Sequence, residues 1–209
     1  MTTIYLVRHG TTEWVDTRLL HGITDIPLNE RGKRQARAAA GAFAGIKIDH
    51  IYTSPLSRCF QTAGFVSSVV GIEPTRLDNL KELDFGWLEG SRNRVYRSGK
   101  YGKIIEECDR FGRRVIRAIS GEPLKLFQKR ILTAWQQVLD ENPNGTTVIV
   151  GHSGVFNAIL IHFFGKNFPP GERYYYMNPA SISRVDISSD GKVELTQLND
   201  TSHLPDDIL

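Results

Sequence analysis

Apolar positions along this chain come in two lengths, short unbroken runs and longer stretches of helical period, and the two alternate. Ile4-Tyr5-Leu6-Val7 is a continuous apolar run of the kind a strand shows when both of its faces are covered. From Asn29, the sequence Asn-Glu-Arg-Gly-Lys-Arg-Gln-Ala-Arg-Ala-Ala-Ala predicts an alanine-rich helix with Asn29 as its cap and Gly45 as its stop. Ile48 to Tyr52 predicts a second strand, followed by a helix with Ser54 as cap and Pro55 in its first position, which puts Arg58 on the opening turn. Pro123 to Leu139 reads as a helix and Thr146 to Val150 as a buried strand. A helix then runs through Ile161, after Gly151-His152-Ser153-Gly154. Ile182 to Ile187 and Val193 to Leu198 flank Ser189-Asp190-Gly191-Lys192, an Asp-Gly hairpin signal. The order predicts an α/β fold: a three-layer αβα sandwich around a mostly parallel sheet with an antiparallel edge.

Composition narrows the class. The 209 residues fit one domain, 1–209, and 40% hydrophobic with 23% charged residues excludes disordered and collagen-like chains. No apolar run approaches the roughly 18 residues of a membrane helix, and no basic leader precedes the first strand, so the expected address is the cytosol, without a membrane partner. Cys59 and Cys108 have no His or Cys neighbours at metal spacing, which excludes a disulfide scaffold and a zinc finger. Both read as packed residues. The net charge is +3, yet nine Lys and Arg against three acids between Arg92 and Arg117 give that stretch +6, so the remainder is mildly acidic. Such a patch points to an anionic ligand at one place rather than to a nucleic-acid coat. Tyr174-Tyr175-Tyr176 has no interleaved basic residue and reads as a packed loop, not a base-stacking platform. The oligomeric state, a homodimer included, is not legible here.

In parallel α/β folds ligands bind beyond the carboxyl ends of the strands. There stand Arg8-His9-Gly10 after the first strand, Arg58 after the second, and Gly151-His152-Ser153-Gly154 after the strand at 146–150. Two guanidiniums, helix N-termini and a glycine make a phosphate site. A neutral imidazole aimed at phosphorus is a nucleophile, and a second histidine can stabilise an equatorial oxygen in the transition state. The leaving oxygen needs an acid, for which Glu82 and Asp84 are both placed in Lys81-Glu82-Leu83-Asp84-Phe85-Gly86. Taken singly, each residue has a plainer reading as a structural histidine or a surface ion pair. A metal site would need closer histidine spacing than this chain has.

Leu6-Val7-Arg8-His9-Gly10-Thr11-Thr12-Glu13-Trp14, Leu28-Asn29-Glu30-Arg31-Gly32, Tyr52-Thr53-Ser54-Pro55-Leu56-Ser57-Arg58, Leu80-Lys81-Glu82 with Glu89-Gly90, Val150-Gly151-His152-Ser153-Gly154 and Leu198-Asn199-Asp200-Thr201-Ser202-His203-Leu204 span nearly the whole chain. Together they resemble the histidine phosphatase superfamily, in its phosphoglycerate mutase-like branch. The resemblance implies His9 as the phosphorylated nucleophile, Arg8, Arg58 and His152 as the phosphate pocket, and Glu82 as proton donor, with neither metal nor cofactor. His203 then reads as structural. Gly10, His21, Gly22 and Ser153 are the further candidate substrate-binding residues. The pattern departs at Val15, where the family usually has Asn, and at His21-Gly22, where it has Gln-Gly or Ser-Gly, so that His21 stands as a substitute hydrogen-bonding group. Trp87 also stands one place early, with Leu88 before Glu89-Gly90.

The resulting expectation is a metal-independent phosphatase for a small anionic phosphate monoester. Phosphoglycerate mutase-type transfer is the nearest rival, and a silent binding protein on the same fold the more distant one. The resemblance also implies a basic, cap-like segment at about 91–120 lying over the pocket. Ile104, Cys108, Phe111 and Val115 form an apolar helical stripe, and the simpler reading of the arginines opposite them is a solvated helix face.

Overall fold

The computed structural model describes residues 1–91, 121–165 and 175–209. The basic segment between Arg92 and Arg117, Cys108 and Tyr174 lie outside the described residues, as does all of the cap-like stretch except Ser91. The elements are β1 (Thr2–Arg8), α1 (Glu13–Asp16), α2 (Glu30–Gly41), β2 (His50–Thr53), α3 (Ser57–Val70), β3 (Pro74–Arg76), α4 (Leu124–Glu141), β4 (Thr146–Gly151), α5 (Ser153–Phe164), β5 (Ile182–Ile187) and β6 (Val193–Asp200). Two 3₁₀ turns, Asp78–Leu80 and Gly86–Leu88, follow β3.

Six strands form one sheet in the order β3-β2-β4-β1-β5-β6. The first four are mutually parallel, and β5 and β6 complete the sheet as an antiparallel hairpin. Alternation along each strand sends side chains to both faces. Ile4, Leu6 and Ile149 pack with Phe127, Ile131 and Trp135 of α4 and with Phe156, Ile159 and Leu160 of α5. Val7, Ile51, Val148 and Val150 pack on the opposite face with Ala40 of α2 and with Cys59, Ala63 and Val66 of α3. Helices therefore cover both faces, which is why the strands read as unbroken apolar runs.

Two local expectations meet different outcomes. Asn29 does cap α2, its side chain accepting from Gly32 N at 2.9 Å. The helix expected to begin at Ser54-Pro55 begins instead at Ser57. Ser54 Oγ lies 2.9 Å from His152 Nε2, and the cap is supplied from elsewhere in the chain: Asp25 accepts from Ser57 N and Ser57 Oγ, each at 2.7 Å.

The N-terminus of α2 lies against the backbone that follows β1. A Cβ on Gly10 would stand 2.4 Å from Gly32 O, and one on Gly32 would stand 1.9 Å from Thr11 O. Both contacts are backbone to backbone, so no side-chain rotation relieves them. Gly32→Ala should separate α2 from the loop after His9 and lower stability by about 1–3 kcal/mol, the usual range for overpacking. A urea midpoint unchanged from that of the native chain would refute this.

Candidate active site

The parallel register brings three strand ends side by side. His9 N donates to Gly151 O at 3.0 Å and Ser54 N donates to Val150 O at 3.1 Å, so the chain leaves β1, β4 and β2 at one edge of the sheet. Arg8, His9, His152 and Arg58 line a single cavity of about 740 Å³ with Glu82, His21, Gly22 and Ser153. Gly10 and the alternative acid Asp84 are the predicted site residues outside that lining. The Gly10 N–H donates to Thr62 Oγ1 at 3.2 Å, and its lack of a side chain serves the contact with α2.

His9 is buried, and its Nδ1 lies 2.7 Å from Gly10 O. A carbonyl only accepts, so Nδ1 carries the proton and Nε2 keeps its lone pair. Burial, then the charges of Arg58 and Arg8, hold the imidazole pKa well below its ordinary value, so the ring is neutral at neutral pH. His152, the N-cap residue of α5, is fully buried, with its ring centroid 5.2 Å from that of His9. Burial and Arg58 keep it neutral too.

Arg58 has no exposed surface, which is costly for a cation unless it is paired. Its Nη1 and Nη2 donate to Thr24 O at 2.9 Å and to Gly22 O at 2.8 Å, while Nε is buried without a partner. The segment supplying those carbonyls is held by Glu89, which accepts from Ile23 N at 2.9 Å, Thr24 N at 2.8 Å and Phe85 N at 3.1 Å, and from the Thr24 hydroxyl. Gly22 has φ of +54°, and a Cβ there would meet the Glu89 carboxylate. Arg8, at the end of β1, donates from Nη1 to Met177 O at 2.5 Å.

The two candidate acids separate. Glu82 lines the cavity, with Oε1 accepting from Leu83 N at 2.9 Å and Oε2 from Gly154 N at 3.0 Å at the start of α5. Burial outweighs those hydrogen bonds and the neighbouring arginines, so its carboxyl holds a proton to higher pH than an ordinary glutamate. Asp84 is not among the cavity residues; its Oδ1 accepts from Gly86 N at 2.7 Å and braces the second 3₁₀ turn.

His21 sits on the cavity wall, but it is engaged within the chain. Nε2 meets Thr12 Oγ1, and the ring also hydrogen-bonds the Leu19 backbone. With its pKa pushed down to about 3, chiefly by burial, it is a neutral group whose Nε2 is already taken by Thr12, rather than the spare donor the sequence suggested in place of Val15. His203 donates from Nε2 to Ala180 O at 3.0 Å, and Ala180 N in turn donates to Arg8 O at 3.0 Å, so this histidine supports the end of β1. Cys59 is buried beneath His152, and burial pushes its thiol up to about 12. Tyr175 is buried, with its hydroxyl on Gly165 O at 3.1 Å, whereas Tyr176 is exposed.

Among the described residues no cluster of three or more His, Cys, Asp or Glu is arranged to hold a metal ion, and no helix is long and apolar enough to cross a membrane.

Comparison with known proteins places this geometry in context. The sequence pattern of the histidine phosphatase superfamily (branch 1) matches residues 4–201. The "Uncharacterized phosphatase PhoE" of Bacillus subtilis (strain 168) is 29% identical over 208 residues, covering 98% of this chain and 97% of that protein. The "Probable phosphoglycerate mutase GpmB" of Cronobacter sakazakii is 31% identical over 217 residues, covering 98% and 95%. Among solved structures, YhfR of Bacillus stearothermophilus superposes with a TM-score of 0.81 at 26% identity, over 98% of this chain and 100% of that one.

Proposed function

This chain belongs to the histidine phosphatase superfamily, branch 1, and from that premise we propose that it is a phosphomonoesterase acting through a phosphohistidine on His9. The observation that carries the reading is the His9 tautomer. Nδ1 is committed to Gly10 O, which leaves the Nε2 lone pair in a cavity shared with Arg8, Arg58, His152 and Glu82.

Arg8 and Arg58 hold the phosphoryl oxygens, and Arg58 brings to them a buried Nε donor that lacks a partner. Nε2 of His9 attacks phosphorus, and the hydrogen bond from Nδ1 to Gly10 O stabilises the positive charge that develops on the ring. The P–O ester bond breaks with its electron pair moving to the leaving oxygen, which takes the proton of Glu82. His152 stabilises the charge on an equatorial oxygen. In the second half, the Glu82 carboxylate accepts a proton from the attacking water. The P–N bond then breaks, its electron pair returns to Nε2, and inorganic phosphate leaves.

The rest of the cavity supports hydrolysis over mutase chemistry. Beyond the phosphate site its described wall is mostly apolar, with Leu20, Leu83, Phe85, Phe127 and Ile161 beside Gln128 and Asn157, and among the described lining residues Arg8 and Arg58 are the only Lys or Arg. A mutase must retain an acid-bearing product while the phosphoryl group returns to it, and the described residues of this wall offer that product no cation beyond Arg8 and Arg58. An apolar wall favours an uncharged leaving group. The test is the fate of the phosphoryl group with 3-phosphoglycerate and an aryl phosphate supplied in turn. Inorganic phosphate released in step with alcohol, more efficiently from the aryl ester, is the expected result. Conversion of 3-phosphoglycerate to its isomer without phosphate release would favour the mutase instead.

A further inference from the structure

Glu82 lies in irregular backbone between the two 3₁₀ turns, where no strand or helix ladder fixes the chain. Carbonyls in such a stretch need donors from elsewhere. They find them on α4. The Arg130 guanidinium donates from Nη1 to Asn79 O at 2.8 Å and to Lys81 O at 2.6 Å, and from Nη2 to Glu82 O at 2.9 Å. Its remaining edge forms a two-pronged pair with Glu122, Nε to Oε1 and Nη2 to Oε2, each at 2.8 Å. Glu122 N donates in turn to Asp84 O at 3.0 Å, so the same pair grips the acid-bearing segment at both ends. The guanidinium carbon lies 4.8 Å from the centroid of Phe127, a buried ring of the cavity wall. Fork, stack and ion pair leave Arg130 little rotational freedom, and only a planar guanidinium reaches three carbonyls and a carboxylate at once.

We infer that Arg130 is a positioning residue for the reaction: by clamping the carbonyls of Asn79, Lys81 and Glu82, it sets the Glu82 carboxyl where a leaving oxygen departs. The inference rests on the proposed role of Glu82 as proton donor. Arg130 is not among the residues lining the cavity and acts only through the backbone that carries the acid. A displacement of about 1 Å in a reacting group costs on the order of 100-fold in rate.

A merely structural arginine and a positioning one differ in which substrates suffer. The experiment measures kcat/KM for an alkyl phosphate, whose leaving group needs a proton, and for nitrophenyl phosphate, whose leaving group does not. It compares the native chain with Arg130→Met, Glu82→Gln and the double variant. Arg130→Met should lose about 100-fold on the alkyl ester and less than about threefold on the nitrophenyl ester. In the double variant it should add almost nothing to the loss caused by Glu82→Gln, because both act through one proton. Equal losses on the two esters, or losses that multiply in the double variant, would overturn the inference and leave Arg130 a fold residue. If Glu82→Gln itself spares the alkyl ester, the role of Glu82 fails and the inference falls with it, a different signature from failure of Arg130 alone. Should Arg130→Met not fold, Arg130→Lys keeps the charge without the fork and Glu122→Gln loosens the clamp. Each should show a smaller loss confined to the alkyl ester, and a uniform loss in both would overturn the inference equally.

Discussion

Replacing His9 by alanine should lower the turnover of an aryl phosphate by on the order of 10⁴- to 10⁶-fold, the loss usual when a covalent nucleophile is removed. The geometry makes this residue hard to replace. Its Nδ1 is spent on Gly10 O, its ring is neutral because burial and two arginines oppose a charge, and its free Nε2 shares the cavity with those arginines. Neighbouring groups do not fill in: Nε2 of His152 is engaged by Ser54, and Nε2 of His21 by Thr12. The variant should fold normally, because alanine gives up only one local hydrogen bond and leaves both backbone contacts of the loop in place. Two further readouts belong to the same experiment. Native turnover should survive a chelator, and native chain quenched during turnover should carry phosphate on a linkage cleaved in acid and retained in base, as expected of a phosphorus–nitrogen bond. Turnover lost on chelation, or an active His9→Ala, would remove the phosphohistidine route.

The strands and their ends were legible in the sequence because one physical cause produces both signals. A parallel strand covered on both faces must be apolar throughout, so Ile4 to Val7 and Thr146 to Val150 stand out, and the residue at which the run stops is the residue delivered to the sheet edge. His9 and His152 follow directly. What escaped notice depends on contacts distant in sequence. Pro74–Arg76 is too short, too polar and too close to the edge to leave a pattern. Ser54 has the form of a helix cap, yet its hydroxyl meets a histidine 98 positions away, and the cap comes from Asp25. His21 has the form of a spare donor because sequence cannot show that Thr12 already occupies its Nε2. Arg130 lies in mid-helix between Lys129 and Ile131 with no motif around it, and its five hydrogen bonds appear only once α4 packs beside the segment carrying Glu82.

Glu82→Gln should divide substrates by leaving group and reshape the pH profile. An alkoxide is a poor leaving group, so the kcat/KM of an alkyl phosphate should fall by ~10²- to 10⁴-fold, the usual contribution of a general acid. Nitrophenolate leaves unaided, so that ester should be spared most of the loss. The pH dependence follows from two opposed shifts. On the proposed mechanism the active form needs neutral His9 and protonated Glu82. Burial lowers the His9 pKa, so the nucleophile is ready well below the ordinary histidine range, and burial raises that of Glu82, so the proton is kept above the ordinary glutamate range. Activity on an alkyl ester should therefore peak between the lowered His9 pKa and the raised Glu82 pKa. It should fall at lower pH as His9 gains a proton and at higher pH as Glu82 loses its own. Glutamine cannot ionise, so the variant should lose the Glu82 contribution to the alkaline limb while keeping the acid limb set by His9. The substrate's own second ionisation, with a pKa of about 6, acts equally on both proteins, so the difference between the two profiles reports Glu82 alone. Superimposable profiles, or an equal loss on alkyl and nitrophenyl esters, would take the proton from Glu82 and return attention to Asp84, whose carboxylate now braces the turn at Gly86.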